Sequence, residues 1–180
     1  MRAIPTTLPD ILQLEPRIHG DARGFFLESY NARTFPEITG CNRAFVQDNH
    51  SRSAKGVLRG LHYQLKKPQD KLIRVVSGEI LDVVVDLRRS SKTFLRWEAF
   101  SLSAENQRQL WVPAGFGHGF LVLSDHADVI YKVTDYYTPD DQHCLLWNDP
   151  VLAIDWGVTA PVLSRQDALG LNLAQATLFA

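Results

Sequence analysis

The sequence predicts a mainly β protein, built as an antiparallel sandwich or barrel, and three features of the chain support this. Short segments rich in β-branched and aromatic residues alternate apolar with polar positions, and Gly, Pro, Asp or Asn separate them. Strands at this spacing favour two packed sheets or a closed barrel. Helical periodicity is sparse, and the chain has no internal repeat, linker or low-complexity stretch.

The strand predictions follow the chain from the N-terminal third to its last quarter. Eight segments are predicted to hold them: GFFLESY, RAFVQDNH, VLRGLHYQ, KLIRVVSG, EILDVVVDLR, FLRWEAFSL, QLWVPAGFGHGFLVLS and ADVIYKVTDYY. A helical turn or two is expected only in NARTFPEI and in the tail after Asp167.

Alternation within two of these segments has consequences for a site. In ADVIYKVTDYY, period-two geometry places Tyr131 and Tyr137 on one face, so both can face one interior. In EILDVVVDLR, a wholly apolar face alternates with a face that carries Asp82 and Asp86. That second face either meets solvent or lines a polar pocket.

Length and charge limit the organisation of the chain and its partners. The 180 residues, 45% of them hydrophobic, suffice for one sizeable core but are few for two, so we expect a single domain over residues 1–180. A formal net charge of -1 leaves no broad cationic field and argues against nucleic acid or a membrane surface as partner. An anionic ligand must then be held by locally placed Arg and Lys.

The N-terminal residues and the cysteines predict a compartment. Pro5 and Pro9 interrupt the first residues, which lack the continuous apolar stretch of a signal peptide or transmembrane helix, so a cytoplasmic location is expected. Cys41 and Cys144 are too few for a disulfide scaffold and show no CxxC spacing. They are expected to be reduced structural thiols.

The densest group of reactive side chains is RGLHYQ, with Lys71 shortly after it. A histidine exchanges protons near neutral pH and an ammonium stabilises a developing oxyanion, so His62 and Lys71 together suit enolate chemistry. Without further context, a hydrogen-bonded structural histidine and a solvated lysine are the commoner explanations of such a pattern.

The position of Arg59 depends on the regularity of its strand. Strict alternation sends Arg59 and His62 to opposite faces, but Gly60 between them is a place where a β-bulge can occur. A bulge would turn the Arg59 guanidinium toward the base, where it could bind a phosphate in bidentate fashion. The alternative is a surface arginine.

A second cluster, PAGFGHGF, combines glycines with His118 at the start of a strand. The glycines permit a tight turn and close approach of the backbone to a ligand, although the bare pattern also fits a hairpin turn. Asp149 and Asp167 have the pattern of ordinary turn or cap residues.

Together these motifs resemble the dTDP-4-dehydrorhamnose 3,5-epimerase family. The matching segments run in the family's order over nearly the whole chain: DARGFFLESY, FVQDNHS, VLRGLHYQ, GEILDVVVDLR, LWVPAGFGHGF, YKVTDYYTP and LLWNDP. The resemblance implies a cupin-type jelly-roll β-sandwich that is a homodimer and requires no metal or redox cofactor.

The resemblance also implies a substrate and a reaction. The substrate is dTDP-4-dehydro-6-deoxy-D-glucose, a dTDP-linked 4-keto-6-deoxy sugar whose ketone acidifies the hydrogens at C3 and C5. In the implied roles, His62 removes the proton, Asp167 orients its imidazole, Lys71 stabilises the enolate oxygen, and Tyr131 returns a proton to the opposite face. The product is dTDP-4-dehydro-L-rhamnose, a precursor in dTDP-L-rhamnose biosynthesis.

Ligand contacts carry over from the family onto matching positions. Arg23 and Arg59 are expected at the diphosphate, His118 beside the sugar, and Tyr137 stacked on thymine. Sugar and nucleotide contacts are expected from Glu28, Gln47, Asp48 and Asn49. Three points stay open: Gln142 stands where the family commonly has Glu, Asp149 competes with Asp167 as the partner of His62, and Asp82 is a candidate supporting carboxylate.

Other functions fit parts of the pattern. Within the epimerases, a 5-only or 3-only enzyme or a 3,4-ketoisomerase is an alternative. A metal-dependent cupin oxygenase is another, although the strand that would offer a His-x-His pair has His62 followed by Gln64 at the second position. A non-catalytic sugar-binding jelly roll would also use aromatic and Arg side chains.

Overall fold

Thirteen strands and two short helices make up the chain, which a computed structural model describes over residues 1–180. The helices are α1 (Phe35–Thr39) and α2 (Arg165–Ala168), with a 3₁₀ turn at Pro139–Asp141. The strands are β1 (Arg2–Pro5), β2 (Leu12–Glu15), β3 (Ile18–Asp21), β4 (Gly24–Leu27), β5 (Gln47–Ala54), β6 (Leu58–Gln64), β7 (Lys71–Ser77), β8 (Glu79–Asp86), β9 (Trp97–Ser103), β10 (Gln109–Val112), β11 (Phe116–Val122), β12 (His126–Val133) and β13 (Gln142–Cys144).

Two antiparallel sheets pack face to face, as the sequence predicts for a sandwich. One has six strands in the order β1-β2-β10-β7-β12-β5, and the other has five in the order β13-β6-β11-β8-β9. Strands β3 and β4 form a separate two-stranded hairpin. The largest hydrophobic cluster draws on both large sheets, with Ile73 and Val129 from one and Val84 and Phe120 from the other. The core therefore lies between the sheets.

Each large sheet is also covered on its outer face. The C-terminal segment places Leu152, Ile154 and Trp156 against the outer side of the five-stranded sheet. Helix α1 contributes Phe35 to a cluster with Trp111 on the outer side of the six-stranded sheet. Because both faces of these strands are buried, successive residues along a strand can all be apolar, and the sequence shows longer apolar stretches than a strand with one solvent-exposed face would need.

The eight predicted strand segments all contain strands, and the mainly β class is confirmed. Strands β1, β2, β3 and β13 were not predicted, because three or four residues are at or below the shortest length at which alternation can be recognised. Strands β4 and β10 are equally short but lie within longer predicted segments. The helix α1 begins within NARTFPEI as expected and ends one residue past it, at Thr39, whereas α2 includes Asp167 and does not follow it.

Strand β8 resolves the choice left open for its two carboxylates. Asp82 and Asp86 are fully buried, so their face lines the interior and does not meet solvent. The opposite face, with Val83 and Val85, packs against the C-terminal segment. Both faces of β8 are therefore enclosed.

The helices are short, and the longest, α1, has five residues. No helix in the structure has the length and apolar character needed to cross a membrane.

Candidate active site

A polar cavity of about 330 Å³ lies between the two sheets. Strands of both sheets, two loops and helix α2 line it: Gln47, Asn49, Ser51, Lys71 and Tyr131 from the six-stranded sheet, Arg59, His62, His118, Gly119, Phe120 and Gln142 from the five-stranded sheet, Gln69 and Tyr137 from connections, and Gln166 from α2. The lining includes an Arg, a Lys and two His but no Asp or Glu. This charge distribution suits an anionic ligand.

His62 on β6 is paired with a buried carboxylate. Its Nε2 lies 2.7 Å from Oδ1 of Asp167, which is 3% exposed. Because a carboxylate accepts, Nε2 carries the proton that it donates, and Nδ1 keeps the free lone pair. The ring lines the cavity, so this nitrogen can accept a proton from a bound ligand.

Asp167 is held ionised by several donors. Burial alone would raise the pKa of Asp167, but hydrogen bonds from His62, from the Ser164 hydroxyl at 2.6 Å and from the Gly60 amide at 3.2 Å together lower it. Ser164 is also the N-cap of α2 and accepts from the Asp167 amide. The sequence SRQD therefore forms a local capping arrangement that fixes the carboxylate.

The choice between Asp149 and Asp167 is decided by their hydrogen bonds. Asp149 accepts from the backbone amides of Val151 at 2.8 Å and Leu173 at 2.8 Å, which makes it a turn residue. Asp167 is the residue that contacts His62.

A bulge brings Arg59 to the same cavity as His62. On β11, His118 faces His62 and Phe120 faces Arg59, so two residues of β6 oppose the single residue Gly119. A Cβ on Gly60 would lie 2.5 Å from the Gly119 Cα, so only glycine permits this approach of the two backbones. The bulge predicted at Gly60 is confirmed, and the Arg59 guanidinium lines the cavity with its Nε bonded to the Ser53 hydroxyl at 2.9 Å.

Lys71, at the start of β7, is a buried amine in the cavity lining. Burial lowers the pKa of Lys71 to about 8, and the negative charge of Asp82 partly opposes this. Its Nζ lies 3.4 Å from the His62 carbonyl oxygen, to which it donates. The amine is thus beside the His62 strand and is largely protonated at neutral pH.

Two tyrosines on one side of the cavity have different surroundings. Burial raises the pKa of Tyr131, although the charge of Arg59 opposes this in part, so its phenol keeps its proton near neutral pH. Tyr137 is 50% exposed at the mouth. Both line the cavity as expected, but β12 ends at Val133, so Tyr137 reaches the cavity from the connection after the strand and not by alternation along it.

His118 on β11 is fixed by Asp82 on the neighbouring strand β8. The His118 Nε2 lies 2.8 Å from Asp82 Oδ2, and the carboxylate is fully buried. Asp82 therefore supports a cavity residue without lining the cavity.

The predicted contacts on β5 divide between the two faces of the strand. Gln47 and Asn49 line the cavity and bond to each other at 2.8 Å. Asp48 lies between them on the opposite face, where Lys132 donates to it at 2.9 Å. Asp48 is therefore not part of the cavity lining in this chain, because period-two geometry cannot turn three consecutive side chains to one face.

Arg23 and Glu28 also lie outside the cavity of this chain. Arg23 sits at the exposed tip of the β3–β4 hairpin, where it pairs with Asp21 at 2.5 Å. Glu28 follows the hairpin and accepts from Asn31 at 3.0 Å. The predicted ligand contacts of Arg23 and Glu28 are therefore not part of the cavity that a single chain forms.

Sequence reasoning missed several lining residues: Ser51, Gln69, Phe120, Gln142 and Gln166. Ser51 was accessible to prediction, because it continues the β5 face of Gln47 and Asn49. Gln69 and Gln166 have no local pattern that distinguishes them from surface residues. Gln142, which stands where the family commonly has Glu, also lines the cavity.

Cys144 lies behind the His62–Asp167 pair. It is the register partner of His62 on β13, and its Sγ is 3.9 Å from Asp167 Oδ1. Burial, together with the nearby Asp167 charge, raises the pKa of the Cys144 thiol to about 12. Cys144 is therefore a protonated thiol at neutral pH, as expected of a free cysteine.

The chain is similar over nearly its whole length to proteins of one family. A family profile for dTDP-4-dehydrorhamnose 3,5-epimerase matches residues 5–175. The dTDP-4-dehydrorhamnose 3,5-epimerase of Pseudomonas aeruginosa is 55% identical over 180 residues, covering 99% of both chains. The enzyme of that name from Mycobacterium tuberculosis is 40% identical over 172 residues, covering 93% of this chain and 85% of the relative.

Solved structures of such epimerases have the same fold. The dTDP-6-deoxy-D-glucose-3,5-epimerase of Legionella pneumophila, in complex with dTDP-4-keto-L-rhamnose, superposes with a TM-score of 0.95 at 49% identity, covering 98% of this chain and 94% of that one. A 3'-monoepimerase from Streptomyces bikiniensis in complex with dTDP-quinovose gives a TM-score of 0.89 at 36% identity, covering 97% and 88%.

Fold and site together define the class of protein, a sugar epimerase built on a jelly-roll β-sandwich. The chain belongs to the dTDP-4-dehydrorhamnose 3,5-epimerase family.

Proposed function

We propose that the chain converts dTDP-4-dehydro-6-deoxy-D-glucose to dTDP-4-dehydro-L-rhamnose by inverting C5 and C3, as a step of dTDP-L-rhamnose biosynthesis. The observation that carries the proposal is the placement of two proton-exchanging groups on opposite walls of one cavity. His62 comes from the five-stranded sheet and Tyr131 from the six-stranded sheet. A sugar ring between them meets a base on one face and an acid on the other, which inversion requires.

The proton transfers follow from the protonation states of these groups. His62 accepts the proton of the carbon beside the ketone at Nδ1, and the electron pair moves onto the ketone oxygen as an enolate. Asp167 stabilises the imidazolium that forms. The Tyr131 hydroxyl then gives its proton to the other face of the carbon as the ketone reforms. His62 returns its proton to solvent, and Tyr131 takes one back.

Lys71 is the group proposed to stabilise the enolate oxygen. Its ammonium is held in a cavity wall where charge interactions are stronger than in water. The carbonyl stores the charge in the intermediate, so the proposed chemistry requires no electron carrier.

A pH prediction follows from the lowered pKa of Lys71. An amine with a pKa of about 8 loses its charge as the pH rises through that value, so we expect the rate of exchange to fall above pH 8. The measurement is the pH dependence of solvent-deuterium incorporation on both sides of pH 8. In Lys71→Arg the charge persists, so the fall should disappear. An unchanged alkaline fall in that variant would remove Lys71 from the oxyanion role.

The nucleotide end of the substrate is assigned to the cavity mouth. Arg59 can pair with the diphosphate in the charge-assisted way typical of guanidinium groups. Tyr137, half exposed, offers a ring face on which thymine can stack, and its backbone amide is bonded to Gln47 at 3.1 Å. These contacts allow a weakly acidic protein to hold a dianionic ligand.

Tyr137→Ala should weaken dTDP binding by about 1–3 kcal/mol, the range for a base stacked on an aromatic ring. Isothermal titration calorimetry with dTDP measures this. Tyr136→Ala is the matched control, because Tyr136 is an adjacent exposed tyrosine outside the cavity lining. Equal affinities in the two variants would reject the stacking assignment.

A homodimer is part of the proposal. The β3–β4 hairpin carries Phe25 and Phe26 at 59% and 70% exposure, with Ile18 at 48%. Adjacent exposed apolar side chains of this size are typical of surfaces covered by a partner. The mass of the protein in solution, measured by light scattering, tests the assembly.

One alternative has a specific observation in its favour. The similarity to a 3'-monoepimerase at a TM-score of 0.89 shows that the fold accommodates more than one regiochemistry. Differences of less than an ångström in sugar position decide which carbon meets the base.

The test of the function is NMR of dTDP-4-dehydro-6-deoxy-D-glucose incubated with the protein in deuterated water. We expect deuterium at both C3 and C5 and formation of the L-rhamno product. Deuterium at one carbon alone would support a monoepimerase. A protein that only binds the sugar would incorporate none.

A further inference from the structure

Three side chains of metal-ligating type lie together beside the cavity wall that His62 forms. His62 Nε2, Cys144 Sγ and Asp167 Oδ1 all lie within 4.8 Å of one another. Imidazole, thiolate and carboxylate are all zinc ligands, and three protein ligands with an open fourth position form a common zinc arrangement. We propose that these three side chains form an inhibitory site for zinc, occupied in competition with catalysis.

The distances require only a small adjustment. Zinc with bonds of about 2.0–2.3 Å holds the atoms of a tetrahedron roughly 3.3–3.7 Å apart. The His62–Asp167 contact of 2.7 Å would lengthen, and the Cys144–Asp167 contact of 3.9 Å would shorten slightly. Each of these two changes is roughly half an ångström. The third pair, His62 Nε2 and Cys144 Sγ, lies within 4.8 Å and would close by at most roughly 1.3 Å as the side chains rotate.

Two parts of the backbone hold the three side chains together: the β13–β6 strand pair and the helix α2. Cys144 and His62 are direct register partners on adjacent strands β13 and β6. Asp167 is held on the short helix α2 by Ser164. His62 lines the cavity whereas Cys144 and Asp167 do not, so the three ligand atoms lie on the Nε2 side of the ring, away from Nδ1.

Binding balances as an exchange of one cation for one proton. Zinc bonds to the Cys144 sulfur as the thiol proton leaves to solvent, and to Asp167 Oδ1 through a lone pair. It bonds to His62 Nε2 after that nitrogen gives up its proton and Nδ1 takes one from solvent, so one proton is released in all. With Nε2 bound to metal, the imidazole carries its proton on Nδ1. That nitrogen is the proposed proton acceptor, so a zinc-bound His62 has no free lone pair to begin the reaction.

The expected metal preference follows from the ligand set. Sulfur and imidazole favour Zn²⁺ and Co²⁺ over Mg²⁺, which prefers oxygen ligands and keeps its waters. Zinc should therefore inhibit at concentrations where magnesium has no effect.

Metal binding is tested first with Co²⁺, independently of activity. A thiolate-to-cobalt charge-transfer band is expected in the native protein and in Cys41→Ser, because Cys41 lies beside Asp70 and is not one of the three ligands. The band should be absent in Cys144→Ser and in Cys144→Ala. A band that persists in both Cys144 variants, or that never forms in the native protein, would overturn the site.

Inhibition is tested next with buffered free zinc, measuring deuterium exchange relative to each variant's own metal-free rate. We expect the zinc concentration for half inhibition to rise at least about tenfold in Cys144→Ser, because even partners outside the ligand shell change metal affinity by about 10- to 100-fold. Cys41→Ser should match the native protein. Equal potency against the native protein and Cys144→Ser would contradict the proposal.

The inhibition, unlike the binding, rests on the proposed role of His62 as base. A cobalt band that depends on Cys144, combined with undiminished exchange in zinc, would place the metal as inferred but remove His62 from proton abstraction. Absence of the band in the native protein, with normal metal-free exchange, would leave the epimerase function intact and reject the metal site.

Discussion

His62→Ala is expected to lower deuterium exchange at both C3 and C5 by about 10²- to 10⁴-fold, the contribution of a positioned general base. The reason is structural: Asp167 holds one ring nitrogen at 2.7 Å, and the other is left to accept a proton in the cavity. The dTDP affinity should be largely unchanged, because the diphosphate and base contacts are assigned to Arg59 and Tyr137. NMR exchange rates and calorimetry measure the two effects separately.

His126→Ala is the control for this substitution, because His126 is an exposed histidine at the start of β12 and lies outside the cavity. It should exchange at the native rate. Near-native turnover in His62→Ala would exclude His62 as the base. A large loss of dTDP affinity in that variant would instead indicate that the cavity had rearranged.

Tyr131→Phe is expected to separate exchange from inversion. Without the phenol, His62 can still remove a proton and return deuterium to the same face, so the substrate gains label without changing configuration. Formation of the inverted product should fall by about 10²- to 10⁴-fold, while exchange falls less than about tenfold. NMR distinguishes labelled substrate from labelled product in one incubation.

Tyr30→Phe is the matched control, because Tyr30 packs against Phe35 and Phe45 on the outer side of the six-stranded sheet. This variant also loses one phenol hydroxyl, but it should form the inverted product at the native rate. If exchange and inversion fall equally in Tyr131→Phe, the phenol positions the sugar and does not supply the proton.

The site forms between two packed sheets, so the residue pattern of a single strand cannot predict it. Each sheet contributes its inward face to one interior, so groups far apart in sequence meet across it. His62 and Arg59 come from one sheet and Tyr131 and Lys71 from the other. The polar end of the interior is the cavity, and the remainder is the hydrophobic core.

The local residue pattern was sufficient to predict much of the fold and part of the site. Alternating β-branched and aromatic segments predicted the eight main strand regions, because side chains on a strand change face at every residue. The same rule explains why Asp48 points away from Gln47 and Asn49. It does not account for Tyr137, which lies in the connection after β12 ends at Val133. Short strands such as β13 offered too few residues for the rule to apply.

The amino-acid sequence by itself determined the mainly β class, the faces of its longer strands and the types of reactive group available, because these depend on residues close together along the chain. Tertiary structure alone decided that the bulge at Gly60 forms against Gly119, and that Asp167 contacts His62 while Asp149 caps a turn. Both outcomes depend on distances between segments as much as 107 residues apart, as between Gly60 and Asp167. Only packing of the two sheets and the C-terminal segment fixes such distances.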